Sequence, residues 1–242
     1  MPTSERVTVI TGVTSGIGKA LAQRLISVGE CVVGLGRNAG KLAALAEAWG
    51  SSFVPVCVDL AERAARRQTF GELRARFPRV DVLVNNAAEV VYETQLALAP
   101  ERFDALLEVN VLAAMDLVHA LSPALAAEGQ IVNVSSVTGR FVAHPRFAPY
   151  ALTKAALERF TESLRLELAQ RGIRVSLVVP GLVTTPIYDK VPGFETTRAA
   201  LDKQVPTWLS PEDVAESIHW LLTRPTAVAV SELVLLPRFQ AR

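Results

Sequence analysis

The stretch Val9-Ile10-Thr11-Gly12-Val13-Thr14-Ser15-Gly16-Ile17-Gly18 runs from a strand-like segment into a glycine-rich turn and then into a helical pattern. Glycines at these positions let the backbone turn tightly and approach a bound pyrophosphate closely. A helix that begins at such a turn offers unpaired N–H groups and the positive end of its dipole to phosphates. A glycine-rich turn can also simply connect a strand to a helix, but this context favours a dinucleotide site. Its predicted contacts are Gly12, Thr14, Ser15, Gly16, Ile17 and Gly18.

Along the rest of the chain, short apolar runs alternate with longer segments of helical period. The runs are β-branched and apolar on both faces, as expected for strands inside a parallel sheet. The predicted strands are residues 7–10, 31–35, 53–58, 80–84, 131–134, 175–179 and 233–236, and the predicted helices are 17–28, 39–49, 62–76, 101–121, 150–170 and 211–222. This alternation implies right-handed crossovers, and therefore an α/β fold: a doubly wound parallel sheet (Rossmann fold) with helices on both faces.

The chain is predicted to form one domain over residues 1–242, because half of its residues are hydrophobic and no repeat or linker divides it. Residues 184–209 break the rhythm, with Pro186, Pro192, Gly193 and Pro206, and are expected to form a substrate loop or lid.

The formal net charge of +1 gives no basic excess for binding nucleic acid or a membrane surface. No apolar stretch is expected to reach the length that spans a bilayer. Met1 to Arg6 is polar, without the apolar core of a signal peptide. Cys31 and Cys57 are expected to be buried, reduced thiols, and no residues lie at metal-ligand spacing. These features favour a cytoplasmic protein without a metal.

The end of the second predicted strand indicates which nucleotide binds. NAD-binding versions of this fold carry an acidic residue there, which contacts the ribose hydroxyls. This chain has Gly36 followed by Arg37, so the acid is absent and a guanidinium is available to a 2′-phosphate. The sequence therefore predicts NADP(H) as the cofactor. An ordinary solvated arginine at a strand end is the alternative.

A tyrosine and a lysine open the fifth predicted helix as Tyr150-Ala151-Leu152-Thr153-Lys154. Residues four apart share a helix face, so the ammonium of Lys154 is expected near the phenol of Tyr150, where a cation lowers a phenol's pKa. Upstream, the predicted strand at 131–134 ends in Ser135-Ser136. Ligands of open parallel sheets bind beyond the carboxyl ends of the strands, so these hydroxyls and Tyr150 are predicted to converge.

In this order, the motifs resemble those of the short-chain dehydrogenase/reductase family, in its compact single-domain type, over nearly the whole chain. The set comprises the glycine-rich turn, Asp59, Asn85-Asn86-Ala87-Ala88, Asn110, Ser136, Tyr150-x-x-x-Lys154 and Pro180-Gly181. The C-terminal stretch 230–240 resembles the NADP-dependent branch that acts on serine and related 3-hydroxy acids.

This resemblance implies a role for each matching residue. Tyr150 would exchange a proton with the substrate oxygen, Ser136 would hydrogen-bond that oxygen, Lys154 would bind the nicotinamide ribose, and Asn110 would hold a proton-relay water. The cofactor contacts would also include Arg37, Asp59 at the adenine, Leu60, Asn86, Ala87, Pro180, Gly181, and Val183 and Thr185 at the carboxamide.

Two departures from the family pattern affect the site. Ala88 stands where glycine is usual, which is mild if its φ is ordinary and costly if φ is positive. The interval from Ser136 to Tyr150 is one residue longer than usual, and counting from Ser135 lengthens it further.

The predicted function is NADP(H)-dependent reduction of a ketone or aldehyde, or oxidation of the corresponding alcohol. Either a loop arginine (Arg140 or Arg146) recognises a hydroxy acid beside His144, or aromatic residues form a pocket for apolar carbonyls. A catalytically silent NADP(H)-binding sensor or scaffold is the alternative from another class, although such proteins usually lose the tyrosine, lysine or serine. Helix 150–170 is apolar on more than one side, which favours a homodimer or homotetramer.

Overall fold

In the computed structural model, residues 6–189 and 191–241 are described, and they form seven strands in one parallel sheet. The strands are β1 (Val7–Thr11), β2 (Cys31–Gly36), β3 (Phe53–Cys57), β4 (Val80–Asn85), β5 (Leu125–Val134), β6 (Arg174–Pro180) and β7 (Glu232–Leu235). Their order across the sheet is β3-β2-β1-β4-β5-β6-β7. The predicted doubly wound sheet is therefore confirmed.

The described residues also form eight α-helices. These are α1 (Gly16–Ser27), α2 (Ala39–Trp49), α3 (Arg63–Arg76), α4 (Pro100–Leu107), α5 (Ala113–Leu121), α6 (Ala148–Leu168), α7 (Glu195–Gln204) and α8 (Pro211–Leu222). A π-helical turn, Glu108–Leu112, separates α4 from α5, where one uninterrupted helix was predicted. α7 lies inside the segment that was predicted to be irregular.

Each face of the sheet carries its own hydrophobic core, because successive strand residues point to opposite faces. On one face, the side chains of α3, α5 and α6 pack against the sheet through residues such as Phe70, Leu117 and Leu164. On the other face, α1, α2 and α8 do so through residues such as Leu21, Leu42 and Ile218. Because the strands are parallel, their carboxyl ends lie together at one end of the sheet, between the two layers of helices.

The strand order reverses direction at β1, which pairs with β2 on one side and with β4 on the other. The chain therefore leaves β1 toward one edge of the sheet and, after β3, returns to build toward the other edge. A crevice opens at such a point outside the carboxyl ends of the strands, and nucleotides bind there in folds of this class.

Two expectations about the chain's environment need correction. Pro100–Ala124 is long and apolar enough to cross a membrane by length and composition, although no such stretch was expected. Half of its most apolar window is buried, and Leu117 and Leu121 belong to the core, as in the central helix of a globular protein. Cys57 is exposed and Cys31 partly exposed, so the prediction of two buried thiols is wrong. Of the segment Met1 to Arg6, residues 1–5 lie outside the described part of the chain.

Candidate active site

The backbone angles of the glycine-rich turn and the atoms packed around it leave no room for side chains at its glycines. Gly12 and Gly16 have φ values of +73° and +53°, which side-chain-bearing residues rarely adopt. A Cβ on Gly18 would lie 2.5 Å from the Asn86 side chain and from the Gly12 carbonyl. Ser15 caps α1 with extended backbone but without a side-chain hydrogen bond to the helix, so the first N–H groups of α1 face outward. The turn thus forms an anion cradle at the end of β1.

Asn86 fastens this turn to the strand next to it. Its side-chain nitrogen donates to the Thr11 carbonyl at 2.9 Å, while the backbone N–H groups of Asn86 and Ala87 both donate to the Thr11 hydroxyl at 3.0 Å. Glu128 is the one non-glycine residue with positive φ in the described part of the chain, so Ala88 has ordinary φ. The alanine in place of the usual glycine is therefore the mild substitution.

The residues predicted to contact the adenosine half lie around the ends of β2 and β3. Arg37 is exposed, and its guanidinium pairs with the Glu89 carboxylate at 2.6 Å. Asp59 is exposed, and one of its oxygens accepts a hydrogen bond from Ala61 N–H at 3.0 Å. The side chain of Leu60 belongs to the core, and its carbonyl accepts a hydrogen bond from the buried Arg66.

Tyr150, Ser136 and Lys154 come together where β5 meets the first turns of α6. Tyr150 and Lys154 are 6% and 2% exposed, and the Lys154 ammonium lies 5.8 Å from the centre of the tyrosine ring. The Ser136 hydroxyl lowers the pKa of the Tyr150 phenol, and it accepts a hydrogen bond from Thr138 N–H at 3.2 Å. The neighbouring Ser135 instead donates to the buried Glu158 at 2.8 Å. The choice of Ser136 over Ser135 therefore agrees with the geometry.

The charges at this site differ from the sequence expectation. Burial raises the pKa of the Tyr150 phenol, Tyr188 raises it further, and the hydrogen bond with Ser136 lowers it. The prediction that Lys154 lowers this pKa is wrong, because the Lys154 ammonium donates to the Val134 carbonyl at 2.8 Å instead. Burial also lowers the pKa of Lys154 to about 8, with the Glu158 carboxylate opposing that shift. Tyr150 is therefore a neutral phenol, able to donate a proton.

Asn110 occupies the π-helical turn between α4 and α5, a type of distortion common at functional sites. Its side chain accepts from Glu89 N–H at 2.7 Å and donates to the Glu89 carbonyl at 2.9 Å. It also donates to the Thr153 hydroxyl at 3.0 Å, one turn from Tyr150. Asn110 thus ties the loop after β4 to the helix that carries the tyrosine.

The segment after β6 is closed from behind by the C-terminal residues. Gly181 N–H donates to Leu235 at 2.7 Å, and Leu182 N–H donates to the Gln240 side chain at 2.9 Å. Pro180 is the last residue of β6. The side chain of Val183 lies in the core, and Thr185 lies against Gly16 of the glycine-rich turn. The positions predicted for the carboxamide end are therefore next to the cradle.

An aromatic cluster, consisting of Tyr92, His144, Phe147, Tyr188, Phe194 and Trp208, covers the region around Tyr150. Tyr188 and Phe194 stack with their ring centres 4.7 Å apart, and Tyr92 packs edge-on against Phe194. The Tyr92 hydroxyl also bonds to Thr197 of α7, so the cluster holds α7 in place. Sequence reasoning missed Tyr92; its place just after a strand's carboxyl end was the signal available.

A cavity of about 420 Å³ borders this cluster at Tyr92, and Tyr150 is not among its lining residues. Its wall includes Tyr92, Glu93, Arg102, Arg146 and Gly193. Tyr92 in that wall packs against Phe194, which stacks on Tyr188.

The loop arginines differ in their availability. Arg140 pairs with Glu232 at 2.5 Å and with Glu158 at 3.5 Å, so its charge is already compensated. The Arg146 guanidinium lies 5.3 Å from the centre of the Tyr92 ring, in the cavity wall. Among the described residues it has no carboxylate partner. His144 stacks on Tyr92 and accepts a hydrogen bond from Arg146 N–H.

Comparison with known proteins identifies the family of this chain. The sequence model described as short chain dehydrogenase matches residues 6–195. Serine 3-dehydrogenase of Rhizobium radiobacter is 32% identical over 234 residues, covering 95% of this chain and 92% of the relative. A probable NADP-dependent dehydrogenase of Haemophilus influenzae is 30% identical, covering 96% and 94%. A closed form of serine dehydrogenase complexed with NADP+ superposes with a TM-score of 0.88 at 28% identity, covering 98% of this chain and 96% of that structure.

Proposed function

We propose that this chain, which belongs to the short-chain dehydrogenase family, is an NADP(H)-dependent oxidoreductase that interconverts a small carbonyl compound and its alcohol. The observation that carries the proposal is the buried group of Tyr150, Ser136 and Lys154 at the carboxyl edge of the sheet. It lies on the same edge as the glycine-rich anion cradle. The formal net charge of the chain, +1, is consistent with a soluble, cytoplasmic enzyme that acts on small molecules.

The residues around the end of β1 fit a dinucleotide carrying a 2′-phosphate. Gly12, Gly16 and Gly18 leave room where any side chain would collide, and the free N–H groups of α1 face the same space. Arg37 supplies the cation at the end of β2. A similar structure is described as complexed with NADP+. When bound, NADP(H) supplies or accepts a hydride at its nicotinamide ring.

The protein's own part of the reaction is proton transfer and orientation. Ser136 donates a hydrogen bond to the substrate oxygen, and Tyr150 gives that oxygen its proton as the carbonyl is reduced. Tyr150 suits this role because burial keeps its phenol protonated. Lys154 reaches the same helix face, with its ammonium 5.8 Å from the centre of the Tyr150 ring, and its role is to bind the nicotinamide ribose. In the oxidative direction, Tyr150 takes the proton back.

We expect Tyr150→Phe to lower turnover of NADPH with a panel of ketones, aldehydes and 3-oxo acids by about 10²- to 10⁴-fold. The substitution removes only the hydroxyl, so binding of NADPH should stay within about twofold of wild type, measured by fluorescence titration. If the variant keeps full turnover, the assignment of the acid is wrong. If the wild type binds NADPH but reduces nothing in the panel, a catalytically silent sensor becomes the better proposal.

Arg146 favours an acidic substrate. It is the loop arginine whose charge is uncompensated among the described residues, and its guanidinium lies over the Tyr92 ring of the aromatic cluster, four residues before Tyr150 in the chain. A relative acting on serine, by its name, agrees with this choice. The second candidate, an apolar ketone or aldehyde, is supported by the rings of Tyr188 and Phe194 close to Tyr150.

Replacing Arg146 by an uncharged residue separates these two substrate classes. We expect Arg146→Gln to lower kcat/KM for 3-hydroxy or 3-oxo acids by about 10- to 100-fold, because a charge-assisted hydrogen bond is lost. Uncharged ketones should be affected less than about twofold. Arg140→Gln is the matched control, since Arg140 is paired with Glu232. Equal losses for charged and uncharged substrates would contradict recognition of a carboxylate by Arg146.

A further inference from the structure

An ion pair crosses the crevice at which the nucleotide is proposed to bind. Arg37 follows the end of β2, and Glu89 lies four residues beyond the end of β4. Because β1 lies between β2 and β4, the 2.6 Å contact of these two side chains spans the carboxyl end of β1. The glycine-rich turn begins at that same end.

Glu89 is held in this position rather than carried on a free loop. The buried Asn110 accepts from its N–H and donates to its carbonyl, at 2.7 and 2.9 Å. These two bonds fix the backbone of Glu89, so its carboxylate is presented toward the end of β2. The side chains themselves are accessible: Arg37 is 61% and Glu89 35% exposed. A ligand entering from solvent can therefore compete for the guanidinium.

We infer that Glu89 is an internal competitor of the cofactor's 2′-phosphate for Arg37, and that it sets the affinity of the enzyme for NADP(H) relative to NAD(H). This inference rests on the proposed function. A 2′-phosphate that binds Arg37 must displace the Glu89 carboxylate or lie beside it, and like charges at such distances repel. A nucleotide without this phosphate leaves the ion pair intact. Glu89 therefore weakens the binding of phosphorylated nucleotides selectively.

The consequence for turnover is faster exchange of the nucleotide. A carboxylate next to the guanidinium offers Arg37 a partner as the phosphate leaves, so the departing nucleotide does not leave an unpaired cation. Glu89 is thus a specificity-determining residue, distinct from the groups at Tyr150 that carry the chemistry.

Direct binding by calorimetry tests this inference without turnover. The probes are adenosine 2′,5′-bisphosphate and NADPH, compared with adenosine 5′-monophosphate and NADH. We expect Glu89→Gln to bind the first two about 3- to 10-fold more tightly, and the second two within about twofold of wild type. A purely structural role of Glu89 would shift both pairs together, and that result would overturn the inference.

Two further variants assign the effect to the Arg37 contact. Glu93→Gln removes the same charge from the same loop, where Glu93 pairs with Arg102 and is also 35% exposed. It should leave all four affinities unchanged; an equal gain would overturn the inference in favour of a general effect of charge. In an Arg37→Gln background, Glu89→Gln should give a smaller gain, and a gain as large as in the wild-type background would overturn the inference.

Failure of this inference is distinguishable from failure of the proposed function. If the wild type reduces carbonyls with NADPH but Glu89→Gln changes no affinity ratio, only the role of Glu89 is wrong. If the wild type binds neither NADPH nor adenosine 2′,5′-bisphosphate, the proposed cofactor is wrong, and the inference is overturned with it.

Discussion

Lys154 places a charged group where the protein interior disfavours charge. The residue is 2% exposed, and burial lowers its pKa from 10.5 to about 8. In the unfolded chain the ammonium regains its ordinary pKa, so the unfolded state binds the proton more tightly. Below pH 8 both states are protonated and the buried charge lowers stability by a constant amount. Between pH 8 and 10.5 the folded state releases its proton first, and stability from this group rises with pH.

We therefore expect Lys154→Met to be inactive but more stable than wild type at neutral pH. The gain in the free energy of unfolding at pH 7 should be about 1–2 kcal/mol, because loss of the donor to Val134 offsets part of the relief. The gain should disappear by about pH 10.5. Urea unfolding of both proteins at pH 7 and pH 10 measures this difference.

The exposed Lys41 provides the control for this titration. Lys41→Met should change stability little, and equally at both pH values. A gain for Lys154→Met that is the same at pH 7 and pH 10 would contradict the assigned cause, since packing alone does not titrate.

Contacts between residues that are close in the sequence could be predicted from their spacing. Tyr150 and Lys154 are four apart on one helix, so their proximity follows from helical geometry. The contact of Arg37 with Glu89 joins residues 52 positions apart through sheet order, which no local pattern reveals. The raised pKa of Tyr150 was missed for a similar reason. It depends on burial and on Tyr188, which comes from a distant loop.

At the element scale, α7 depends on the aromatic cluster for its position. Glu195–Gln204 has no buried residue of its own, whereas Phe194, directly before it, is 2% exposed. The cluster around Phe194 is separate from the two cores that hold the sheet. Helix position and protein stability should therefore respond differently to a change in this cluster.

We expect Phe194→Ala to release α7 without unfolding the domain. KM for the carbonyl substrate should rise by about 10-fold or more, and protease cleavage within 186–209 should become faster. The midpoint of thermal unfolding should fall by only a few degrees, at about 4 °C or less. Leu98→Ala, in another small cluster, is the control and should leave cleavage of that segment unchanged. Loss of the whole fold in Phe194→Ala would contradict an independent lid.

The elements that the sequence missed share a physical cause. α7 is short and polar, and Pro192, Gly193 and Pro206 flank it, so local signals favour a loop. The π-helical turn at Glu108–Leu112 lies inside one continuous apolar segment, so no local signal marks it. Long-range contacts decide both features. β1, β2, β4 and β6 were recognisable because their apolar residues are buried on both faces.

At the scale of the whole molecule, the two cores leave one edge of the sheet free for chemistry. Most residues proposed to contact the cofactor or substrate follow the carboxyl end of a strand, and Tyr150 and Lys154 lie in the first two turns of α6. The opposite edge carries only connections. The glycine-rich turn, Asn86 and Ser136 therefore meet at one crevice, because they follow the carboxyl ends of β1, β4 and β5.

The outer surface carries two separate apolar areas that a lone chain would leave in water. Leu152 and Leu166, on one side of α6, are 49% and 77% exposed. Trp220 on α8 and Phe239 beyond β7 are 44% and 56% exposed. Two self-complementary faces on one chain generate a tetramer of two-fold symmetry, whereas one face generates a dimer.

We expect the wild type to be a homotetramer, and Leu166→Glu to reduce it to a dimer by placing a charge in the interface of α6. Trp220→Glu should leave the other dimer, and the two substitutions together should give monomers, with masses measured by light scattering after gel filtration. Leu96→Glu is the control, because Leu96 is fully exposed in a loop away from both helices and should not change the mass. A wild type that stays monomeric at about 100 μM would mean that neither face forms an interface with a Kd below that concentration.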